Sequence, residues 1–493
     1  MKRRYILALD QGTTGSRAFL FNSSGKIVGS AYKEFKQYFP KPGWVEHDAD
    51  EIWESCCAVI KGVLRKSKVS ANKIAAIGIT NQRETTVLWD RTTSKPVARA
   101  IVWQCRRTSQ ICRKMEKHSS VINKKTGLVL DPYFSGTKVK WVLDQSGDLK
   151  RRAQRGGLCF GTIDSWLIWK LTGGQSHVTD MTNASRTLLF NIQTLKWDQE
   201  LLKIFGIPST LLGKVQNSGS VFGRTAKGQC HLPSGILITA VLGDQQAALY
   251  GQGCHKAGSV KNTYGTGCFI VLNTGKKLIH SKKGLLSTVA SDVYGKPVYA
   301  LEGSIFVAGA VVQWLRDQLG IIKHSSDIES LGKGVKDCAG VHFVPAFAGL
   351  GAPYWDADAR GMICGLTRGA GTGHIARAAL ESIAYQTKDV FDIMKKELGK
   401  NIRSLNVDGG ATQNNFLMKF QADLLGCEIS RPKMVDSTVL GAAQLAGLTV
   451  GLWNPSDLGK FGGTRRVFSP KMDVRKRKEL YDGWVKAVKQ VQK

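Results

Sequence analysis

The chain has 493 residues, which is too long for one ordinary hydrophobic core, so two or three domains are expected. Hydrophobic residues make up 42% of it and charged residues 22%, a balance that is ordinary for a globular protein and excludes a disordered chain. The sequence contains no run that is long and apolar enough to span a bilayer, so we expect a cytoplasmic protein.

The chain is strongly basic, with 70 Lys and Arg against 38 Asp and Glu, a formal net charge of +32. Such an excess is compatible with nucleic acid, with anionic lipid or with an anionic substrate such as ATP. The basic clusters are dispersed, however, and no aromatic-interleaved recognition motif accompanies them. We therefore interpret the charge mainly as a solvated surface and expect no specific nucleic-acid partner. A catalytically inactive, polyanion-binding protein is the alternative from a different functional class.

The eleven cysteines are scattered along the chain and form neither a Cys-x-x-Cys pair nor a zinc-ligand spacing. An odd number of cysteines without a recognisable framework predicts reduced thiols in a reducing compartment.

The N-terminal part begins with a predicted β-hairpin. Residues 5–9 and 18–21 form its strands, and the polar segment 10–16 forms the turn. A third strand at residues 27–32 follows, and Asp48 then caps the start of an amphipathic helix. Another buried strand at residues 74–79 leads into a polar segment. Hairpins followed by alternating helices and strands predict an α/β architecture.

A similar motif recurs past the middle of the chain. An apolar strand at residues 235–242 precedes it, and two strands at 259–263 and 268–272 flank a Gly- and Thr-containing bend. Two such halves would leave a cleft between them, so we place a domain boundary near Tyr250, with domains at residues 1–250 and 251–493. Long helices are predicted at three later segments, residues 374–394, 414–425 and 474–491.

The first turn carries residues suited to phosphate chemistry. Asp10 ends a buried strand, where a carboxylate is unfavourable unless a cation meets it, and hydrated Mg²⁺ suits this position. The backbone N–H groups of the turn, with the hydroxyls of Thr13 and Thr14, can hold phosphate oxygens. Arg17 can supply charge to a transferring group. The alternative is an ordinary polar turn that Asp10 caps.

Polar residues also follow other strands: the Arg83–Glu84 pair, the Asp244–Gln245 pair and the paired glycines at 409–410. Such groups can bind several hydroxyls, one carboxylate can accept a proton from an attacking alcohol, and the glycines suit a nucleotide. Each group has an ordinary alternative, namely a surface ion pair, a helix N-cap at Asp244 and a turn without ligand. The P-loop and protein-kinase motifs are absent from the sequence.

Taken in order, these segments resemble the FGGY family of carbohydrate kinases. Two signatures of the family are present, at residues 133–145 and 361–381, and the resemblance extends from Tyr5 to about Trp453. It implies an α/β fold of two actin/hexokinase-type (ribonuclease H-like) ATPase domains that flank a cleft. It also implies ATP-dependent phosphorylation of a small polyol with Mg²⁺, and we expect a homo-oligomer, a dimer or tetramer.

The resemblance also implies a role for individual residues. Glycerol is the polyol it favours, with another small polyol or sugar as the alternative, and Asp244 is the implied general base. The implied glycerol-binding residues are Arg83, Glu84, Tyr133, Asp244 and Gln245, with Trp103 and Phe269 packing on the carbon chain. The implied nucleotide-binding residues are Thr13, Thr14, Gly15, Arg17, Thr266, Gly309, Gln313, Gly410, Ala411 and Asn415. Thr13 and Arg17 are also implied in catalysis, and Asp10 in binding Mg²⁺. Gly15 stands where bacterial members usually have Ser.

Overall fold

The computed structural model describes residues 4–356, 358–434 and 436–492. The strands of the first half are β1 (Tyr5–Gln11), β2 (Gly15–Asn22), β3 (Ile27–Glu34), β4 (Glu46–His47), β5 (Ile74–Asn81), β6 (Val87–Asp90), β7 (Ala100–Ile101), β8 (Leu158–Gly161), β9 (Val178–Asp180), β10 (Phe190–Asn191), β11 (Lys196–Trp197), β12 (Lys214–Gln216), β13 (Gly219–Arg224) and β14 (Leu237–Gly243). Those of the second half are β15 (Val260–Tyr264), β16 (Cys268–Gly275), β17 (Leu286–Ser291), β18 (Pro297–Ile305), β19 (His342–Val344), β20 (Met362–Cys364), β21 (Ser404–Asp408), β22 (Glu428–Pro432) and β23 (Arg465–Phe468).

The helices connect and cover these strands. They are α1 (Ala49–Ser67), α2 (Ser109–Lys114), α3 (Ser119–Thr126), α4 (Ser135–Asp144), α5 (Gly147–Gln154), α6 (Ile163–Leu171), α7 (Met181–Ala184), α8 (Gln199–Phe205), α9 (Asp244–Gly251), α10 (Gly309–Asp317), α11 (Asp327–Lys333), α12 (Thr372–Leu398), α13 (Asn415–Leu425), α14 (Ser437–Thr449) and α15 (Val474–Lys489). Among the described residues, none of these helices has the length and apolar character needed to cross a membrane.

The predicted strands and helices form two large mixed sheets. The first has the order β13-β14-β5-β1-β2-β3, and the second has the order β17-β18-β16-β15-β21-β22-β23. In each sheet an antiparallel hairpin, β1-β2 or β15-β16, is followed across the sheet by a parallel neighbour, β5 or β21. This shared order confirms that the second half repeats the first.

Strand β1 lies in the middle of the first sheet and is buried on both faces. Leu7 and Leu9 belong to the core beneath α1, whereas Ile6 and Ala8 belong to the core that α14 covers on the opposite face. Alternate residues of a strand point to opposite faces, so an apolar run here serves two cores. The buried strand therefore holds the turn that follows it in a fixed position.

Two helices, α9 and α14, pack closely between the sheets. A Cβ atom at Gly251 would overlap the backbone of Ser437, and one at Gly441 would overlap the carbonyl oxygen of Ala247. Glycine is therefore required on both helices for this close approach. The helix α14 belongs to the second half of the sequence but covers the first sheet, so the two halves are joined by packing as well as by the chain.

Cys57 and Cys230 form a disulfide, with their Cα atoms 4.4 Å apart. The prediction that all thiols are reduced is therefore wrong. The two residues are 173 positions apart in sequence, and only the fold brings α1 next to the segment after β13. The other nine cysteines have free thiols, and seven of them are buried.

Candidate functional site

The first hairpin places its turn, residues 12–14, at the end of the first sheet. Asp10 lies opposite Arg17 in the β1-β2 register, so both side chains start from the mouth of this turn. The Arg17 guanidinium donates to Asp436 Oδ1 at 2.9 Å, which joins the hairpin to the start of α14. Gly15 packs tightly, since a Cβ atom there would lie 2.6 Å from the Tyr32 ring. Its lack of a side chain is explained by this contact with β3, and its binding of nucleotide stays a prediction.

The Asp10 carboxylate has no hydrogen-bond donor among the residues that the structure describes. Burial raises its pKa to about 7, Arg17 lowers that value only in part, and the nearby carboxylate of Asp244 raises it further. A carboxylate with so little compensation in the protein favours a bound cation. No group of three or more His, Cys, Asp or Glu side chains that could hold a metal lies among the described residues, so Asp10 fits only a divalent metal such as Mg²⁺ that keeps most of its water ligands.

The second hairpin faces the first and carries Thr266 in its turn. The N–H group of Gly309 donates to the carbonyl oxygen of Gly265 at 3.0 Å, and a Cβ atom at Gly309 would lie 2.6 Å from that oxygen. Gly309 thereby lets the start of α10 rest on the turn. Gln313 lies one helical turn further along α10, with an exposed side chain.

The remaining predicted nucleotide residues lie where β21 meets α13. Gly410 and Ala411 form part of a 3₁₀ turn at residues 410–413. Because β21 is the parallel neighbour of β15, this turn lies at the same sheet edge as Thr266. Asn415 begins α13, and its Oδ1 accepts a hydrogen bond from Arg431 Nη2 at 3.2 Å. Thr266, Gly410 and Ala411, which the sequence predicted to bind nucleotide, thus lie along one edge of the second sheet. Nucleotide binding at this edge stays a prediction.

The polar residues predicted to bind glycerol gather at the base of the cleft. Arg83 Nε lies 3.1 Å from Asp244 Oδ1 and 3.8 Å from Glu84 Oε1, and Arg83 Nη2 donates to the Tyr133 hydroxyl at 3.5 Å. Arg83 and Glu84 are 2% exposed, so the surface ion pair considered for them is excluded. Glu84 adopts φ 60°, a left-handed conformation that the surrounding contacts must hold in place.

Three aromatic rings form a wall beside these polar groups. The centroid of the Trp103 ring lies 5.7 Å from that of Tyr133 and 6.2 Å from that of Phe269. Phe269 belongs to β16, so the second half of the chain completes the wall. Trp103 Nε1 also donates to Thr13 Oγ1 at 2.9 Å, which links the wall directly to the turn at residues 12–14.

Asp244 is the first residue of α9, and Gly243 occupies the N-cap position. The N-cap interpretation of Asp244 is therefore wrong by one residue. Its side chain is 32% exposed, and Oδ1 accepts the N–H group of Gln245 at 2.7 Å. Among the described residues, the other oxygen accepts only a long bond of 3.3 Å from the Gln245 amide, which leaves it available to a further donor.

Four charged residues that sequence reasoning missed surround the pocket: Lys138, Arg186, Lys261 and Glu302. Lys138 Nζ donates to the carbonyl oxygen of Tyr133 at 2.6 Å, and burial lowers the pKa of Lys138 to about 7. Lys261 Nζ donates to the Gln245 amide oxygen, and burial lowers the pKa of Lys261 to about 8 although Asp408 and Asp244 oppose the shift.

One signal in the sequence could have found part of this set. Glu302 is the single charge in the largely apolar strand β18, and such a charge is unfavourable in a core unless it meets a partner. Lys261 is also the single charge of its strand, but Asn262 and Thr263 make β15 polar and weaken the signal. Arg186 follows the short helix α7 and carries no comparable signal.

Comparison with known proteins gives matches over most of the chain. The model of the FGGY family of carbohydrate kinases, N-terminal domain, matches residues 5–251, and that of the C-terminal domain matches residues 260–450. A glycerol kinase of Geobacillus sp. (strain WCH70) is 56% identical over 491 residues, which cover 99% of this chain and 98% of the relative.

Solved structures show the same two-domain arrangement. A Plasmodium falciparum glycerol kinase with ADP has a TM-score of 0.93 at 38% identity, covering 99% of this chain and 98% of that one. A gluconate kinase from Lactobacillus acidophilus has a TM-score of 0.86 at 26% identity, covering 97% of this chain and 95% of that one. The expected α/β fold of two kinase domains around a cleft is thus confirmed.

Proposed function

The chain belongs to the FGGY family of carbohydrate kinases, and we propose that it transfers the γ-phosphoryl group of ATP to glycerol. The products are sn-glycerol 3-phosphate and ADP. Glycerol is the substrate that the names of its most similar relatives give, and those relatives share more than half of its residues over nearly the full length.

The observation that carries the proposal is the convergence of Arg83, Asp244 and Tyr133 beside an aromatic wall. A three-carbon triol offers hydroxyls on one side and C–H groups on the other, and this pocket offers charged groups facing a wall of rings. Charged groups bind hydroxyls with hydrogen bonds that are stronger than neutral ones, and the rings exclude water from the carbon chain.

Asp244 is the group suited to accept a proton. As a glycerol hydroxyl oxygen forms a bond to the γ-phosphorus, its proton passes to Asp244, and the bond from the γ-phosphorus to the bridging oxygen of ADP breaks. Arg83 fixes the carboxylate through its Nε, which keeps the open oxygen directed into the pocket. Phosphoryl transfer depends mainly on positioning and charge, and this pocket supplies both.

The two hairpin turns are placed to bind the phosphates of ATP from opposite sides of the cleft. Thr13 and Thr14 offer hydroxyls from the first turn, and Thr266 from the second. Mg²⁺, when bound beside Asp10, neutralises phosphate charge. The hydrogen bond from Trp103 to Thr13 connects acceptor binding with phosphate binding, so closure around one substrate preorganises the site for the other.

The test is phosphorylation of a panel of acceptors by the purified protein with ATP and Mg²⁺, followed by ³¹P NMR of the products. Glycerol, erythritol, ribitol, xylulose and gluconate form a suitable panel. The proposal requires glycerol to have the highest kcat/KM, and omission of Mg²⁺ to abolish turnover. A higher kcat/KM for a pentulose or gluconate would instead identify a kinase for another small polyol or sugar.

The proposal extends to the setting in which the enzyme works. We place it in the cytoplasm, where ATP is available, as a dimer or tetramer without a specific nucleic-acid partner and with a domain division near residue 250. Sedimentation velocity tests the assembly, and filter binding at about 0.15 M salt tests the absence of sequence-selective nucleic-acid binding.

A further inference from the structure

Glu302 reaches from the second sheet into the pocket that the first half of the chain forms. It lies on β18 and is 0% exposed. Its two carboxylate oxygens accept bonds from both terminal nitrogens of Arg83, at 2.5 Å from Nη1 and 3.1 Å from Nη2. This is the planar, bidentate geometry in which a carboxylate fixes the orientation of a guanidinium group.

Arg186 joins this pair to the other pocket carboxylate. Its Nη2 donates to Glu302 Oε1 at 2.8 Å, while its Nε donates to Glu84 Oε1 at 2.6 Å. Arg186 is 0% exposed, so the two arginines and two glutamates alternate in a buried chain of charges. Burial alone would raise the pKa of Glu302, but Arg186 and Arg83 outweigh it and hold the value at about 2. Glu302 is therefore ionised at neutral pH.

The orientation of Arg83 decides what the pocket can do. Glu302 holds both Nη atoms, whose other contacts are long ones to Gln246 Oε1 at 3.3 Å and to the Tyr133 hydroxyl at 3.5 Å. The Nε edge faces Asp244. A released guanidinium could turn its two terminal nitrogens onto Asp244 in a bidentate pair. Such a pair would occupy both carboxylate oxygens, including the one that faces the open pocket.

We propose that Glu302 is a positioning residue that acts through Arg83, holding the guanidinium so that it binds the acceptor hydroxyls and leaves Asp244 accessible. Arg186, which binds both Glu302 and Glu84, is a second positioning residue and fixes the Glu84 carboxylate. The inference rests on the proposed phosphorylation of glycerol and deepens it. Because Glu302 lies on β18, the second half of the chain would contribute to acceptor binding as well as to nucleotide binding.

The first experiment compares Glu302→Gln with the unaltered enzyme in steady-state kinetics. Gln keeps the shape and one acceptor oxygen but removes the charge. Hydrogen bonds to charged groups carry enough energy that the KM for glycerol should rise about 10-fold to 100-fold, whereas the KM for ATP should stay within about twofold. Glycerol binding is read independently by titration calorimetry without ATP.

A matched control removes a different buried carboxylate from the same half of the chain. Asp389 is 4% exposed and accepts bonds from the Tyr481 hydroxyl and Trp484 Nε1, away from the cleft. The Asp389→Asn variant should leave the KM for glycerol unchanged whatever its effect on Tm. Equal rises of both KM values in Glu302→Gln, with a fall in Tm like that of the control, would show a merely structural role and overturn the proposal.

A double-mutant cycle with Arg83→Ala gives the decisive reading. If Glu302 acts through Arg83, then Glu302→Gln should change the KM for glycerol by less than about twofold in the Arg83→Ala background. An undiminished effect there would overturn the proposal. If Glu302→Gln does not fold, Glu302→Asp keeps the charge, shortens the side chain and should raise the same KM. If the unaltered enzyme does not phosphorylate glycerol, the proposed function is refuted rather than this inference. The double-mutant cycle is then measured with the acceptor of the panel that gives the highest kcat/KM.

Discussion

Replacing Asp244 by Asn tests the chemical centre of the proposed reaction. The substitution preserves shape and keeps an oxygen that can accept from Arg83, but it removes the proton acceptor. General bases contribute about 10²-fold to 10⁴-fold to turnover, so kcat should fall by at least about 10²-fold, or about 2.7 kcal/mol in the activation barrier. The KM for glycerol should change much less, because Arg83, Glu84 and Tyr133 remain in place.

The structure also limits the effect of this substitution on folding. The Asp244 side chain is 32% exposed, and its ionic partner Arg83 keeps the bidentate contact to Glu302. Because the buried Arg83 keeps a charged partner when Asp244 is neutralised, Tm should change little. The variant can therefore be assayed as a folded protein.

Asp90→Asn is the matched control. Asp90 has a similar exposure of 22% and is paired with Arg152 at 2.6 Å, but it lies outside the pocket. Stopped assays of product formation should show full activity for the control and a loss of at least about 10²-fold for Asp244→Asn. A folded Asp244→Asn enzyme with near-normal kcat would refute the assignment of Asp244 as the base.

Three further predictions concern the pocket and its surroundings. Arg83→Ala should raise the KM for glycerol far more than that for ATP, and a rise confined to ATP in initial-rate kinetics would place Arg83 with the nucleotide. Trp103→Phe keeps a ring but loses the bond to Thr13, so it should weaken the binding of ATP and of glycerol by a similar factor of about 5 in calorimetry; a change in one ligand alone would contradict the link. His47 is neutral in the fold because burial lowers its pKa to about 3. Below about pH 6.5 the unfolded chain binds a proton at His47 that the folded chain does not bind. The free energy of unfolding therefore decreases as the pH falls from about 6.5 towards about 3. His47→Gln should reduce this decrease when it is measured by urea titration at several pH values.

The sequence predicted those parts of the site that depend on local patterns. Asp10, Arg83 and Asp244 each follow an apolar strand, and parallel strands end at one edge of a sheet, so their proximity follows from the α/β pattern. The N-cap of α1 was also predicted, and Asp48 indeed accepts from the N–H groups of Asp50 and Glu51.

Long-range pairing could not be predicted in the same way. Arg83 and Glu302 are 219 residues apart in sequence. The local sequence of β18 predicts a strand, but it does not predict which arginine the Glu302 carboxylate will bind. The disulfide between Cys57 and Cys230 has the same origin, since it depends on where α1 packs. The tight packing of Gly15 against Tyr32 depends on the register between β2 and β3, which the local pattern of neither strand specifies.

The buried charges give a physical reason why the two halves of the chain act together. Charges that are removed from water must find partners, and here the arginines of the first half find theirs in Glu302 of the second half. The helices α9 and α14 also approach each other closely at Gly251 and Gly441, so packing joins the two halves as well. The first hairpin is joined to the start of α14 by Arg17 and Asp436, an exposed ion pair that water can replace at little cost. The buried charges around Arg83 therefore join the two halves more firmly than this surface pair, since removing one partner of a buried pair leaves a charge without compensation.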